Sequence, residues 1–142
     1  MTMLADLASI APDATTAPFW DACRRRELRL QRCSDCGAFR QPPSPGCPHC
    51  GSARGDWPLL SGRGTVFSFT IVHHAAVPPL AADVPYNVVV IELDDAPGAR
   101  LISNVLDVAP DDVSVGMRVD LAWDETPDGV VLPRFRRVTA ER

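Results

Sequence analysis

Four cysteines, Cys33, Cys36, Cys47 and Cys50, stand in two Cys-x-x-Cys pairs separated by ten residues. Each pair is followed by a glycine, Gly37 or Gly51. Two thiolates that reach one metal from a single turn need backbone N–H groups aimed at sulfur, and a residue free to take positive φ closes that turn. Two such knuckles supply four thiolates, which suit tetrahedral Zn²⁺ at ~2.3 Å and leave no position open for a reactant. The expected metal is a structural zinc, with iron or a redox dithiol as the alternatives. It could supply on the order of 10–16 kcal/mol of folding energy at neutral pH, and a segment with so few large apolar side chains needs it.

The other reactive residues form no comparable pattern. Cys23 lies outside both knuckles on the helical face of Trp20, where a small buried hydrophobe is the simpler role and a catalytic thiol the alternative. His49 sits inside the second knuckle. His73 and His74 end a strand with no Ser, Cys or carboxylate constellation around them, so they read as surface or packing residues and not as a general base. Arg24, Arg25, Arg26, Arg29 and Arg32 put five guanidinium groups into nine residues. Either they solvate a helix end, or they make an anion site for a discrete group such as the phosphates of a coenzyme.

The 142 residues carry a formal charge of −4, with fourteen arginines and no lysine. The acids concentrate late: residues 72–142 hold twelve against six arginines. That balance opposes binding to a polyanion such as nucleic acid. Five cysteines behind an N-terminus without a basic n-region imply a metal site plus one spare thiol, not a disulfide framework. Residues 1–18 are interrupted by Asp6, Pro12 and Asp13 and fit neither a signal peptide nor a membrane span, so a cytoplasmic protein with no membrane contact is expected.

The elements that must position the cysteines follow from periodicity. Residues 1–16 form an arm without periodicity; 17–60 hold a helix and the zinc ribbon; 61–142 form a second, β-rich unit. Thr16 is placed to cap a helix from Ala17 to about Arg26, with Pro18 in its first turn and Phe19, Trp20 and Cys23 on one face. Leu28 to Arg32 alternates as a strand leading into the first knuckle. From Gly64 onward strands are expected over 65–73, 86–93, 100–106, 118–124 and 130–138, with a helical turn at 110–113 and turns at 94–99 and 126–129. Alternation along the first of these puts Thr65, Phe67, Phe69 and Ile71 on one face. The apolar, proline-rich loop 75–85 must fold back on the sheet or contact a partner. Five strands make a closed OB-type barrel the economical arrangement, because closure removes edges; an SH3-like barrel or an open sandwich fits the pattern as well.

Several stretches in this order carry a family resemblance: Phe19-Trp20 opening the helix, LxLQRC at 28–33, CxxCG followed by Pro42-Pro43, CPxCG, GxGTVxSFT at 62–70, PYxVVxIEL at 85–93 and LPRFR at 132–136. Over nearly the whole chain this resembles the acyl-CoA-associated family of zinc ribbons joined to OB-folds, long catalogued as a domain of unknown function. The resemblance implies a mainly β fold: an N-terminal helix and rubredoxin-like zinc ribbon followed by a five-stranded OB-fold barrel, with zinc on Cys33, Cys36, Cys47 and Cys50. It further implies a non-catalytic accessory subunit that docks on a thiolase-like or aldolase-like acyl-CoA enzyme in a hetero-oligomer, with the CoA ester at the shared interface. Carried over from the family, docking would fall to Phe19, Trp20 and the loop that ends at Pro85 and Tyr86; Arg24 and Arg25 join them as candidates for partner or CoA contact from the arginine cluster itself.

Two readings from other classes stand beside it. One is a single-stranded nucleic-acid-binding OB protein with Phe67 or Phe69 stacking on bases. The other is a stand-alone acyl-CoA thioesterase using His73 or His74.

Overall fold

The computed structural model describes residues 11–139, so the first ten residues of the expected arm lie outside the described residues. Helix α1 runs Ala17–Arg24 with Pro18 in its first turn and Phe19, Ala22 and Cys23 buried. It stops two residues short of expectation for a local reason. Arg26 takes the left-handed conformation, φ 58°, its N–H bonding the Cys23 carbonyl at 2.8 Å and that of Glu27 the Ala22 carbonyl at 2.9 Å. This pair of bonds is a Schellman stop. Thr16 occupies the N-cap, but its hydroxyl makes no forward capping bond. Instead Asp13 Oδ1 accepts from the N–H groups of Thr15 and Thr16, each at 2.9 Å.

The ribbon is a three-stranded antiparallel sheet in the order β2-β1-β3, from β1 (Gln31–Cys33), β2 (Phe39–Arg40) and β3 (Gly55–Asp56). The expected strand over 28–32 is shifted to 31–33, since Arg29 makes only an isolated bridge to Leu59. Leu28 and Leu30 are nevertheless fully buried, and they join the core of the second unit.

That unit is a six-stranded sheet in the order β6-β5-β4-β8-β9-β7. Its strands are β4 (Arg63–Val72), β5 (Tyr86–Leu93), β6 (Arg100–Ser103), β7 (Val105–Leu106), β8 (Arg118–Glu125) and β9 (Val131–Arg137). Five strands were expected; the third is broken at Asn104 into β6 and β7, and β7 closes the sheet by pairing parallel to β9. All other neighbours are antiparallel, the OB-fold arrangement. Short 3₁₀ turns occupy Pro78–Leu80, within the loop 75–85, and Pro110–Asp112.

Strict alternation along β4 fails at one point. A register shift between Val66 and Ser68 leaves Phe67 as a bulge residue. The extra residue lets Val66 and Phe69 both face the core, opposite Ile91 and Val89, and turns Phe67 outward. Where β4 enters the barrel, a Cβ on Gly64 would lie 2.7 Å from the Glu92 carbonyl oxygen and 2.7 Å from Ile91 Cγ2. The backbones meet there because no side chain intervenes. The shared core is built on Val66, Val89, Ile91, Val119 and Phe135, each 0% exposed, with Phe19, Cys23 and Leu28 packed against it from α1 and the ribbon.

Candidate metal centre and apolar groove

The two knuckles converge. One ligand atom from each of Cys33, Cys36, Cys47 and Cys50 lies within 4.8 Å of all the others. Cys33 Sγ is 3.6 Å from Cys50 Sγ, and Cys36 Sγ is 3.6 Å from Cys47 Sγ. Edges of a tetrahedron with Zn–S bonds near 2.3 Å measure roughly 3.8 Å, so the sulfurs stand where zinc would draw them. Gly37 and Gly51 sit at φ 80° and 78°, and their N–H groups return to the Cys33 and Cys47 carbonyls at 3.0 and 2.9 Å.

The donor set itself calls for a cation. The Cys36 N–H aimed at its sulfur lowers Cys33 to about 6, and Cys47 is lowered in the same way by the N–H of Cys50. At Cys50 the Ser52 N–H pulls down, but the crowding sulfurs, Cys33 foremost, push it up to about 12. Four thiolates cannot share this space without a positive centre.

Arg40 braces the ribbon from inside. Its side chain is buried with the residue only 2% exposed. Its guanidinium donates to the carbonyl oxygens of Ser44, Ser52 and Arg54 at 3.2, 3.1 and 2.9 Å. It thereby ties the loops on both sides of the second knuckle to β2. Cys23 is buried and its thiol is pushed up to about 12 by burial, as suits a small core hydrophobe.

A second feature lies where α1, the ribbon and the barrel meet. A groove of about 630 Å³ is walled by Phe19 and Trp20 of α1, by Gln41 and Pro42 of the ribbon, and by residues of β5, β6 and β9. Tyr86, Ile102, Leu132 and Pro133 belong to this lining. The rings of Phe19 and Trp20 meet edge to face at 4.9 Å. At one side Arg134, only 7% exposed, pairs with Asp124 at 3.3 Å and donates to Asn104 Oδ1. Asn104 in turn donates to the Asn87 carbonyl, and the Asn87 amide exchanges two 2.8 Å bonds with the backbone of Val105. This chain of polar groups holds Asn104 at the break between β6 and β7.

Of the residues singled out from sequence, Phe19, Trp20 and Tyr86 thus come together in the groove. Pro85 lies on a smaller depression of about 220 Å³ beside Tyr86. Arg24 and Arg25 stand on the exposed end of α1, paired with Asp21 and Glu27. The rest of the cluster is also paired: Arg26 with Glu125, Arg29 with Glu27, which it shares with Arg25, and Arg32 with Asp56. An incoming anion would have to compete with these carboxylates. His73 and His74 are exposed, and among the described residues no ion pair joins them to a carboxylate. Phe69 is packed against the core, while Phe67 carries the Arg100 guanidinium over its ring at 3.7 Å. Sequence reasoning missed Ile102, Arg40 and the Arg134 network. The signals were present: an isoleucine on the solvent face of a short strand, an arginine inside a ribbon, and a proline within β9.

Two family descriptions match the chain: the rubredoxin-like zinc ribbon domain of ChsH2 over residues 20–54, and the C-terminal OB-fold domain of ChsH2 over residues 57–124. A probable enoyl-CoA hydratase alpha subunit of Thermomonospora curvata is 42% identical over 119 residues, 83% of this chain and 36% of the relative. The 3-oxo-4,17-pregnadiene-20-carboxyl-CoA hydratase alpha subunit of Mycobacterium tuberculosis is 39% identical over 80% of this chain and 35% of its own length. The chain therefore spans about a third of each of these two proteins. A DUF35 domain-containing scaffold protein of Methanocaldococcus jannaschii is 32% identical, with 70% of this chain and 72% of the relative aligned. Among solved structures, a chain of the Ltp2-ChsH2(DUF35) aldolase superposes with a TM-score of 0.82 at 37% identity, covering 92% of this chain and 100% of that one. No helix among the described residues is long and apolar enough to cross a membrane.

Proposed function

This chain belongs to the ChsH2/DUF35 family of rubredoxin-like zinc ribbons joined to OB-fold domains, and from that premise we propose that it is a non-catalytic accessory subunit of an acyl-CoA enzyme. It docks on a thiolase-fold partner, a thiolase, acyltransferase or steroid side-chain retro-aldolase, and stabilises or activates it in the cytoplasm. The zinc fixes the ribbon and takes no part in turnover, since four thiolates fill its coordination sphere.

The observation that carries this reading is the apolar groove, built jointly by α1, the ribbon and the barrel. Trp20 and Tyr86 line it and Ile102, 70% exposed, rims it, a surface of the kind that partners cover. The likeness, over 92% of this chain, to a chain of the Ltp2-ChsH2(DUF35) aldolase supports the same choice. What this chain contributes is positioning: a rigid apolar face and, beside it, Arg100 as a cation for the partner or its CoA ester.

The test is isolation of the tagged chain from the organism that makes it, followed by assay of the accompanying enzyme. A thiolase-fold subunit should come with it in fixed ratio and lose activity or solubility when the chain is deleted. A chain that runs alone, with the neighbouring acyl-CoA activity intact after deletion, would sink the proposal.

A further inference from the structure

The groove has a backbone cause. Asn104 accepts at its carbonyl from the Phe135 N–H at 3.1 Å, the start of the parallel β7–β9 ladder in which Val105 faces Phe135. Two residues back along both strands, the same ladder would need an N–H at position 133 to reach the Ile102 carbonyl. Position 133 is proline, which has none. Its carbonyl accepts from Ser103 Oγ at 2.7 Å, and the ladder goes no further toward the start of β9. Strands β6 and β9 therefore part at Pro133, and the groove lies between them.

As a result β6 is an edge strand: it ends the sheet and pairs only with β5. Backbone direction alternates along a strand. With Asn104 turned toward β9, the N–H and C=O of Ile102 lie on the free edge and those of Leu101 and Ser103 on the β5 side. Natural edges are usually blunted by lysine, proline or a cover. This one instead presents Ile102 at 70% exposure, beside an apolar groove. Its one charge is Arg100, which stacks on Phe67 and forms no ion pair among the described residues, although this half of the chain is rich in acids.

We propose that an extended segment of the partner subunit adds as a strand to the free edge of β6, bonding the backbone of Ile102, seating apolar side chains against Trp20, Leu132 and Pro133, and setting a carboxylate against Arg100. The inference rests on the docking reading above and gives it a mode. Main-chain bonds to the edge supply affinity, and the groove and Arg100 select the side chains. A second copy of this chain would bring its own Arg100 to the same edge, so an acidic partner segment fits better.

The experiment uses the full zinc-loaded chain in complex with the enzyme that co-purifies with it. Ile102→Pro removes only the outward N–H, a change that an edge strand tolerates, whereas Ile102→Val keeps it. The proline variant should keep the melting temperature of the free chain and bind about tenfold or more weakly, while the valine variant binds as wild type. In the wild-type complex the Ile102 amide should exchange with solvent markedly more slowly than in the free chain. Arg100→Ala should weaken binding and flatten its salt dependence.

Should Ile102→Pro melt early, the exchange of the wild-type Ile102 amide decides alone. An unprotected amide in the complex, or a well-folded proline variant that binds like wild type, overturns strand addition while leaving the docking reading intact. Protection of that amide in the isolated chain by coenzyme A, or by raising the chain's own concentration, would assign the groove to a ligand or a second copy and overturn it too. If no acyl-CoA enzyme accompanies the chain, the docking reading fails and takes this inference with it.

Discussion

In the ribbon the strands are two or three residues long, and of its cysteines Cys36 and Cys50 are exposed while Cys33 and Cys47 are buried. In the barrel the strands reach ten residues, and Val66, Val89, Ile91, Val119 and Phe135 are sealed from solvent. Apolar burial at roughly 25 cal/mol per Å² holds the second region, whereas the first has too little apolar surface and relies on metal and on Arg40. The two are joined through Leu28 and Leu30, which begin the ribbon yet belong to the barrel's core. A docking face that spans both is therefore only as ordered as the metal site.

The largest effect should come from attacking that dependence. Chelation, or Cys36→Ser, removes metal-linked folding energy on the order of 10 kcal/mol. Amide signals of β1 to β3 should collapse while those of β4 to β9 persist in a heteronuclear NMR spectrum. Loss of both sets together would show that the ribbon and barrel fold as one unit and break the contrast.

Phe135→Ala strikes the other side. An aromatic side chain wholly buried in the barrel should cost about 3–5 kcal/mol, read as a lowered denaturation midpoint, with zinc stoichiometry unchanged. If zinc binding fell equally, the metal site would depend on the barrel core.

Next is Arg134→Ala, which leaves Asp124, its partner at 3.3 Å, without a cation in a side chain only 14% exposed. A penalty on the order of 3 kcal/mol is expected, together with faster amide exchange at Val105, whose anchor Asn87 is tied to Asn104. Exchange unchanged at Val105 would mean that the network does not hold the β6–β7 break.

The smallest effect belongs to Arg118 and Asp94, paired at 2.6 Å with both side chains more than 40% exposed. Arg118→Ala should cost no more than about 1 kcal/mol after solvent screening. The Asp94 carboxyl is lowered from 3.8, foremost by its hydrogen bond from Arg118. A lowered folded value means that the stabilisation is present at neutral pH and is lost as the pH falls through that value. The cost of Arg118→Ala should therefore begin to shrink as the pH falls below the ordinary aspartate range, about 4, and vanish only beneath the lowered folded value.

Much of this was legible in the chain. The cysteine spacing gives the metal centre because thiolate geometry is local, and the positive φ of Gly37 and Gly51 is a local demand as well. The barrel strands were readable from alternation. What was not legible depended on pairing. The bulge at Phe67 reverses the faces of β4 because only the partner strand reveals an extra residue, and the break at Asn104 arises from contacts with Asn87 and Arg134, distant in sequence. The end of α1 missed by two residues because Arg26, not a glycine, takes the left-handed position.

The most direct measurement is the composition of the complex recovered from the native organism with wild-type chain and with Cys36→Ser, by mass and metal analysis. The account predicts one zinc per wild-type chain and a stoichiometric acyl-CoA enzyme subunit, with both lost in the variant. A metal-free Cys36→Ser chain that still holds its partner in full ratio, or a wild-type chain that holds none, would contradict it.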